Sequence, residues 1–257
     1  MKINIHCHSN YSDGQNIYDM AKEHKNQGFS AFVVTDHVYP GHLLEDLKTT
    51  NPKSITTYDK YQKQYEHLKN ISEELDFPCI QGIELAIYGE EVLVFGEKAV
   101  KDIFNYMSKL NLNEQEKHAK TIEYQKKLSL HLLDILNSNK ENSAIILCHP
   151  HLMGTPQWVL EPIYNIIDGY EFQNGRHYYF TDETNIDEKL RWDRDVPNEL
   201  ISKKKFYNSD AHYISEVGVN KGNFHAKKIT TLDDLVSFIK TPNEPNTLSL
   251  IYQNCER

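Results

Sequence analysis

The sequence predicts a single α/β domain built on a mainly parallel sheet, and three observations carry that prediction. Short apolar runs alternate with helix-period segments from one end of the 257-residue chain to the other. Those runs are continuously apolar rather than alternating, the pattern of strands covered on both faces. No internal repeat, low-complexity block or Pro/Gly/Ser linker divides the chain, and its length fits one large α/β unit. We therefore read residues 1–257 as one domain. Periodicity alone leaves open whether the sheet is open or closed.

Taken in order, Lys2–His6 reads as the first strand, and Ile17–Gln27 as a helix ended by Gly28, a residue suited to a left-handed helix terminus. Ala31–Thr35 is a compact apolar strand. Beyond a loop bearing Pro40 and Gly41, residues Tyr58, Tyr61, Tyr65, Leu68, Ile71 and Leu75 recur at three- and four-residue steps. That spacing predicts an amphipathic helix with a tyrosine stripe on its core face. Cys79–Leu85 and Val92–Phe95 follow as strands, then a long polar helix over roughly 113–136, with Tyr124, Leu128, Leu132 and Ile135 on one face. Ala144–Cys148 is a strand, Gln157–Ile166 a helix and Gly169–Phe172 a strand. Ile186–Lys204 reads as a helix interrupted at Pro197. Phe206–Asn208 and Lys227–Thr230 complete the strands. Thr231 caps a last helix running through Lys240, with Asp233 and Asp234 in its first turn. Beyond Thr241 the Pro/Asn-rich tail is expected to be loosely ordered.

Composition excludes some classes of function. A net charge of −9 argues against coating duplex nucleic acid, which rests on a basic surface. Cys7, Cys79, Cys148 and Cys255 include no C-x-x-C pair, and three of them lie in apolar strand-like runs, as reduced buried thiols do. Met1 leads directly into Ile3-Asn4-Ile5-His6, with no basic and apolar leader, and no apolar run approaches the ~20 residues that span a bilayer. The expectation is a cytoplasmic protein with no membrane partner.

The histidines and carboxylates are the informative residues. His6 and His8, two apart, project to one face of extended chain. Asp13 lies in a Ser-Asp-Gly turn. Asp36 and His37 directly follow Phe32-Val33-Val34, Glu84 closes the Cys79–Ile83 run, His149 ends Ile145-Ile146-Leu147-Cys148, and Asp210 and His212 follow Phe206-Tyr207. One histidine after a strand is commonly a packed or surface group. Here five strands each finish in His, Asp or Glu, and in a parallel α/β sheet those ends share one face. Carboxylates crowded together need a counter-charge, which divalent cations supply. Mixed imidazole and carboxylate donors suit Zn, Fe or Mn better than an oxygen-only Mg or Ca site.

The run His6-Cys7-His8, Asp13-Gly14, Thr35-Asp36-His37, Gly82-Ile83-Glu84, His149-Pro150 and Ser209-Asp210-Ala211-His212 resembles the PHP family, the polymerase-and-histidinol-phosphatase phosphoesterases. The motifs occur in family order and span most of the chain. The resemblance implies a distorted seven-stranded (β/α)7 barrel, TIM-barrel-like, with two or three divalent ions at the strand C-termini. It assigns His6, His8, Glu84 and Asp210 to a first ion, Glu84 with His149 to a second, and Asp13, His37 and His212 to a third. Relatives usually carry another second-ion histidine before the strand that here reads Val92-Leu93-Val94-Phe95. This chain has Glu90 and Glu91 there, so Glu91 is a candidate ligand, with His118 and His131 as alternatives.

Asn174-Gly175-Arg176 follows a strand at the same face, and Arg176 is suited to clamp a phosphate bidentately. His149 and Arg176 are thus the candidate catalytic residues, with His151 and His177 behind them. His24, His42, His67 and His225 receive no role. The activity expected is hydrolysis of a phosphate ester by a metal-activated hydroxide, with a small phosphorylated metabolite as substrate in the manner of histidinol phosphate phosphatase. A nuclease or nucleotide phosphoesterase is the alternative. Lys203-Lys204-Lys205 beside Phe206 and Tyr207 is the one basic and aromatic run it could use, and it also reads as a helix C-terminus. A third reading, from another class, is a metal-binding regulatory module whose site is degenerate at Glu91.

Overall fold

The computed structural model describes residues 1–49, 53–119, 121–150, 155–175, 197–218, 223–225 and 227–242. Its elements in chain order are β1 (Lys2–Ile3), α1 (Ile17–Asn26), β2 (Phe32–Val34), β3 (His37–Val38), α2 (Leu43–Lys48), α3 (Tyr58–Leu75), β4 (Cys79–Gln81), β5 (Ile83–Ile87), β6 (Glu90–Phe95), α4 (Glu97–Met107), α5 (Leu112–His118), α6 (Ile122–Asn139), β7 (Ala144–Cys148), α7 (Gln157–Ile166), β8 (Gly169–Asn174), α8 (Asn198–Ile201), β9 (Lys204–Asn208), β10 (Asn223–Phe224) and α9 (Leu232–Lys240). The predicted α/β class holds. No described helix is long and apolar enough to cross a membrane.

The described strands form one six-stranded sheet, in the order β3-β5-β6-β7-β8-β9, and two pairs, β1-β10 and β2-β4. They do not make a single closed seven-stranded sheet. Nor is the large sheet parallel throughout, because β6 runs antiparallel to both β5 and β7. A tight hairpin at Tyr88 and Gly89, both at positive φ (46° and 86°), reverses the chain there, as a two-residue hairpin turn requires. The apparent Cys79–Leu85 strand is broken at Gly82. A Cβ at that position would meet the Phe95 ring at 2.5 Å, so glycine lets the chain pass over that ring between β4 and β5.

Alternation along the strands divides the interior. Ile83, Leu85, Val92, Val94, Ile145 and Leu147 face a core built with α4, α6 and α7. Leu93, Phe95, Ala144, Ile146 and Phe206 face a second core with Ile3, Ile5 and α9. Glu84, paired in register with Leu93, lies on this second face.

Several elements depart from the sequence reading. The helix α4 was not anticipated. The polar helix over 113–136 is two helices, because Thr121 caps a new start by accepting from the Tyr124 N–H. On α3 the buried face holds Tyr61, Gln64, Leu68 and Ile71, whereas Tyr65 is 53% exposed, so the tyrosine stripe is not continuous core. Residues 227–230 form no strand, since the Thr230 N–H is bound by the Asp234 carboxylate in the capping box of α9. The short strand β10 pairs with β1 instead. Most of Ile186–Lys204 and the tail from 243 lie outside the described residues.

Candidate metal centre

The segment after β1 delivers the first pair of donors. Cys7 makes a parallel bridge with Ala211, so His6 and His8 turn to the opposite side, both fully buried, with their Nε2 atoms 3.1 Å apart. Asp210 follows β9 at φ 52°, a left-handed conformation that asparagine and aspartate tolerate better than other non-glycine residues. Its Oδ1 lies 3.3 Å from His6 Nε2 and 3.2 Å from His8 Nε2. Glu84, the second residue of β5, pairs in register with His37 of β3. Its oxygens lie 3.2 Å from His6 Nε2, 3.3 Å from His8 Nε2, 2.6 Å from His37 Nδ1 and 2.9 Å from His149 Nε2.

The remaining donors approach from either side. Glu91 lies near the start of the reversed strand β6, opposite Cys148, and its Oε2 is 3.4 Å from His149 Nε2. Asp13 Oδ1 is 3.1 Å from His212 Nε2 and 3.5 Å from His37 Nε2. The His8 ring stacks on His212 and His37, with centroids 4.0 and 4.2 Å away. All nine predicted ligands therefore fall in overlapping groups whose donor atoms lie within 4.8 Å of one another.

The geometry fits a divalent cation. Ligands about 2.0–2.1 Å from a tetrahedral ion sit about 3.3–3.4 Å apart, close to the 3.1–3.3 Å separations among His6, His8 and Asp210, and Glu84 Oε1 and Oε2 lie 3.2 and 3.3 Å from the Nε2 atoms of His6 and His8. His8 Nδ1, Asp210 Oδ1 and His212 Nε2 are buried without an aligned hydrogen bond among the described residues. Buried polar atoms rarely go unpaired, and an unseen ion is one of the standard reasons.

The electrostatics agree. Burial opposes charge on the imidazoles, yet Asp210, Glu171 and Glu84 lift His6 well above its ordinary pKa, and Glu84 foremost lifts His149 to about 10 and His37 to about 9. His8 goes the other way, pressed to about 3 by burial and by His37 and His212. Burial and the neighbouring Glu84 push Glu91 up to about 7. The buried acids thus favour positive charge beside His6, His37 and His149, the same preference that a cation would satisfy.

Other candidates fall outside the cluster. Asp36 turns away and accepts from the Ser9 N–H at 2.7 Å, from the hydroxyls of Ser9 and Ser12, and from Gln64. It braces the turn carrying Asp13 and is in none of the donor groups. Glu90 accepts from Thr155 Oγ1 at 2.5 Å. His118 and His131 are both exposed, the latter stacked on Tyr106 at 4.1 Å, so neither replaces Glu91. His24 is buried against Phe29 and Phe32, His225 bonds Ser30 and His67 lies beside Tyr11. Arg176, His151 and His177 lie outside the described residues.

The sequence reading missed two neighbours of the cluster. Cys148 Sγ shares a donor group with His6, Glu84 and His149. Glu171 bonds His6 Nδ1 at 2.9 Å, and its signal was an acid in the middle of an apolar strand.

The PHP domain family matches residues 4–191, a span that ends before Asp210 and His212. No match was found among curated proteins. Among solved structures, PsfC from Pseudomonas syringae is similar at 15% identity and a TM-score of 0.51, over 99% of this chain and 98% of that one. A protein from Bifidobacterium adolescentis proposed to be a metal-dependent phosphoesterase is similar at 13% identity and a TM-score of 0.45, over 93% of this chain and 96% of that one. At such identities the likeness concerns the fold alone.

Proposed function

This chain belongs to the PHP domain family, and from that membership we propose that it hydrolyses a phosphate ester, a monoester of a small metabolite, with the help of two or three divalent cations. The observation that carries the reading is the convergence of nine imidazole and carboxylate donors from sequence-distant segments on one largely buried cluster. His6, His8, Glu84 and Asp210 would hold one ion. Glu84, His149 and Glu91 would hold a second, and Asp13, His37 and His212 a third; the donors suit Zn, Mn or Fe. When bound, such ions lower the pKa of coordinated water toward neutrality and offset phosphate charge.

The chain's own residues supply the rest. Glu84 touches imidazoles of three of these groups and keeps them in one register. Asp13 and Glu91 are the most exposed members of the cluster, with side chains 35% and 20% exposed, so they mark the side from which an ester enters. Arg176 would clamp the phosphate oxygens. The seven-stranded barrel of the family belongs to the same proposal. It draws support from hydrogen bonds that join the His6–His8 segment to its neighbours, His8 N–H to Ala211 O at 2.9 Å and Thr35 N–H to Cys7 O at 2.8 Å.

A small substrate is favoured over a nucleic-acid strand by the placement of the basic run. Lys203 and Lys204 lie at or beside the start of β9, the opposite end from Asp210. Lys203 Nζ donates to Ile167 O at 2.8 Å and Lys204 Nζ to Phe238 O at 2.6 Å. The test is phosphate release from a panel of sugar, amino-alcohol and nucleoside phosphates beside a labelled oligonucleotide, with the unaltered protein and with Asp210→Ala. Monoester hydrolysis abolished by the substitution supports the reading. Cleavage of the oligonucleotide alone moves it to a nuclease, and normal turnover by Asp210→Ala ends it.

A further inference from the structure

Glu171 lies within β8, 2% exposed, and four donors surround its carboxylate. Oε1 accepts from Asn208 Nδ2 at 2.8 Å and faces His6 Nδ1 at 2.9 Å. Oε2 accepts from the backbone N–H of His149 at 2.8 Å and from Asn174 Nδ2 at 2.9 Å. An ionised carboxylate offers about four acceptor sites and no donor, so these partners occupy it fully. It belongs to none of the donor groups, and it is not a ligand.

The chemistry of that carboxylate decides the state of His6. Because it can only accept, His6 Nδ1 carries hydrogen, so that in the neutral ring, the form that binds an ion, the lone pair is left on Nε2, the atom 3.1–3.3 Å from His8, Glu84 and Asp210. The same group anchors the backbone of His149. Through Asn174, which also donates to Asp210 Oδ2 at 3.2 Å, it reaches a third member of the cluster. Asn208 extends the brace, since its Oδ1 accepts from the Ile5 N–H at 3.2 Å, one residue before His6.

We propose that Glu171 is a positioning residue that sets the His6 tautomer and ties His6, His149 and Asp210 into one donor set. The inference rests on the reading of the cluster as a metal centre. A glutamine cannot replace it, because its amide would turn a donor toward two of the four donors now facing the carboxylate.

Two measurements test this. Zn(II) affinity by chelator competition should be roughly 10–100-fold weaker for Glu171→Gln than for the unaltered protein, the usual loss when a histidine ligand's partner is removed. Nitrogen-15 NMR of the unaltered, zinc-loaded protein should show His6 protonated at Nδ1. Unchanged affinity in Glu171→Gln, or His6 protonated at Nε2, overturns the role of Glu171 and leaves the metal centre standing. Should Glu171→Gln fail to fold, the tautomer decides alone. An unaltered protein that binds no zinc overturns both.

Discussion

Asp36 accepts a hydrogen bond from the Ser9 N–H at 2.7 Å and three more from the Ser9 and Ser12 hydroxyls and the Gln64 amide, whereas Glu84 is surrounded by four imidazoles. Both are buried acids beside His37, so their substitution should separate structure from chemistry. Asp36→Ala orphans several buried donors, at about 1–3 kcal/mol each. We expect a loss of about 3 kcal/mol or more in urea denaturation, with the folded fraction keeping its metal. Glu84→Ala should instead fold, lose bound metal by elemental analysis, and slow ester hydrolysis on the order of 100-fold or more, the scale of losing one charge-stabilising group. The candidate ligands were legible because their residue types and order form motifs. Asp36 and Glu171 were not, because sequence shows that an acid follows or interrupts a strand but not which way its side chain turns.

Helix α1 carries the clearest coupling of an element to pH. His24, in its last turn, is fully buried and bonds the Met20 carbonyl at 2.8 Å. Burial outweighs that bond and lowers its pKa from 6.5 to about 4. Above the unfolded value the imidazole is neutral in both states and contributes no pH dependence. Below it the unfolded chain takes up a proton that the folded helix refuses, so stability declines from pH 6.5 towards 4, by at most about 3 kcal/mol. Urea denaturation at pH 7 and pH 4.5 should show that decline, and His24→Leu should remove this share of it; an equal decline in the variant would refute the assignment. Elements with strong apolar periodicity were legible, as Gln157–Ile166 and the Thr231 cap show. The reversal of β6 was not, because its turn is Tyr88-Gly89 rather than the usual Asn-Gly or Asp-Gly. That reversal nonetheless sets Glu91 opposite Cys148, beside His149.

At the scale of the whole molecule, the cluster joins segments from the first residues to those after β9, so filling it should stabilise the entire fold. An ion at a hundredfold excess over its dissociation constant contributes about 2.7 kcal/mol. For a chain of this size that corresponds to a rise in Tm of about 5–10 °C, to be read from thermal melts with Zn or Mn and reversed by a chelator. The α/β class was legible from alternating segments. The division into one six-stranded sheet and two pairs was not, since strand order depends on pairings between distant residues that apolar runs do not encode. The most direct measurement is anomalous diffraction from crystals grown with Zn or Mn. The account predicts a peak among His6 Nε2, His8 Nε2, Glu84 and Asp210, accompanied by at least one more beside His149 or Asp13. A metal-saturated crystal with no peak among those four side chains would contradict it.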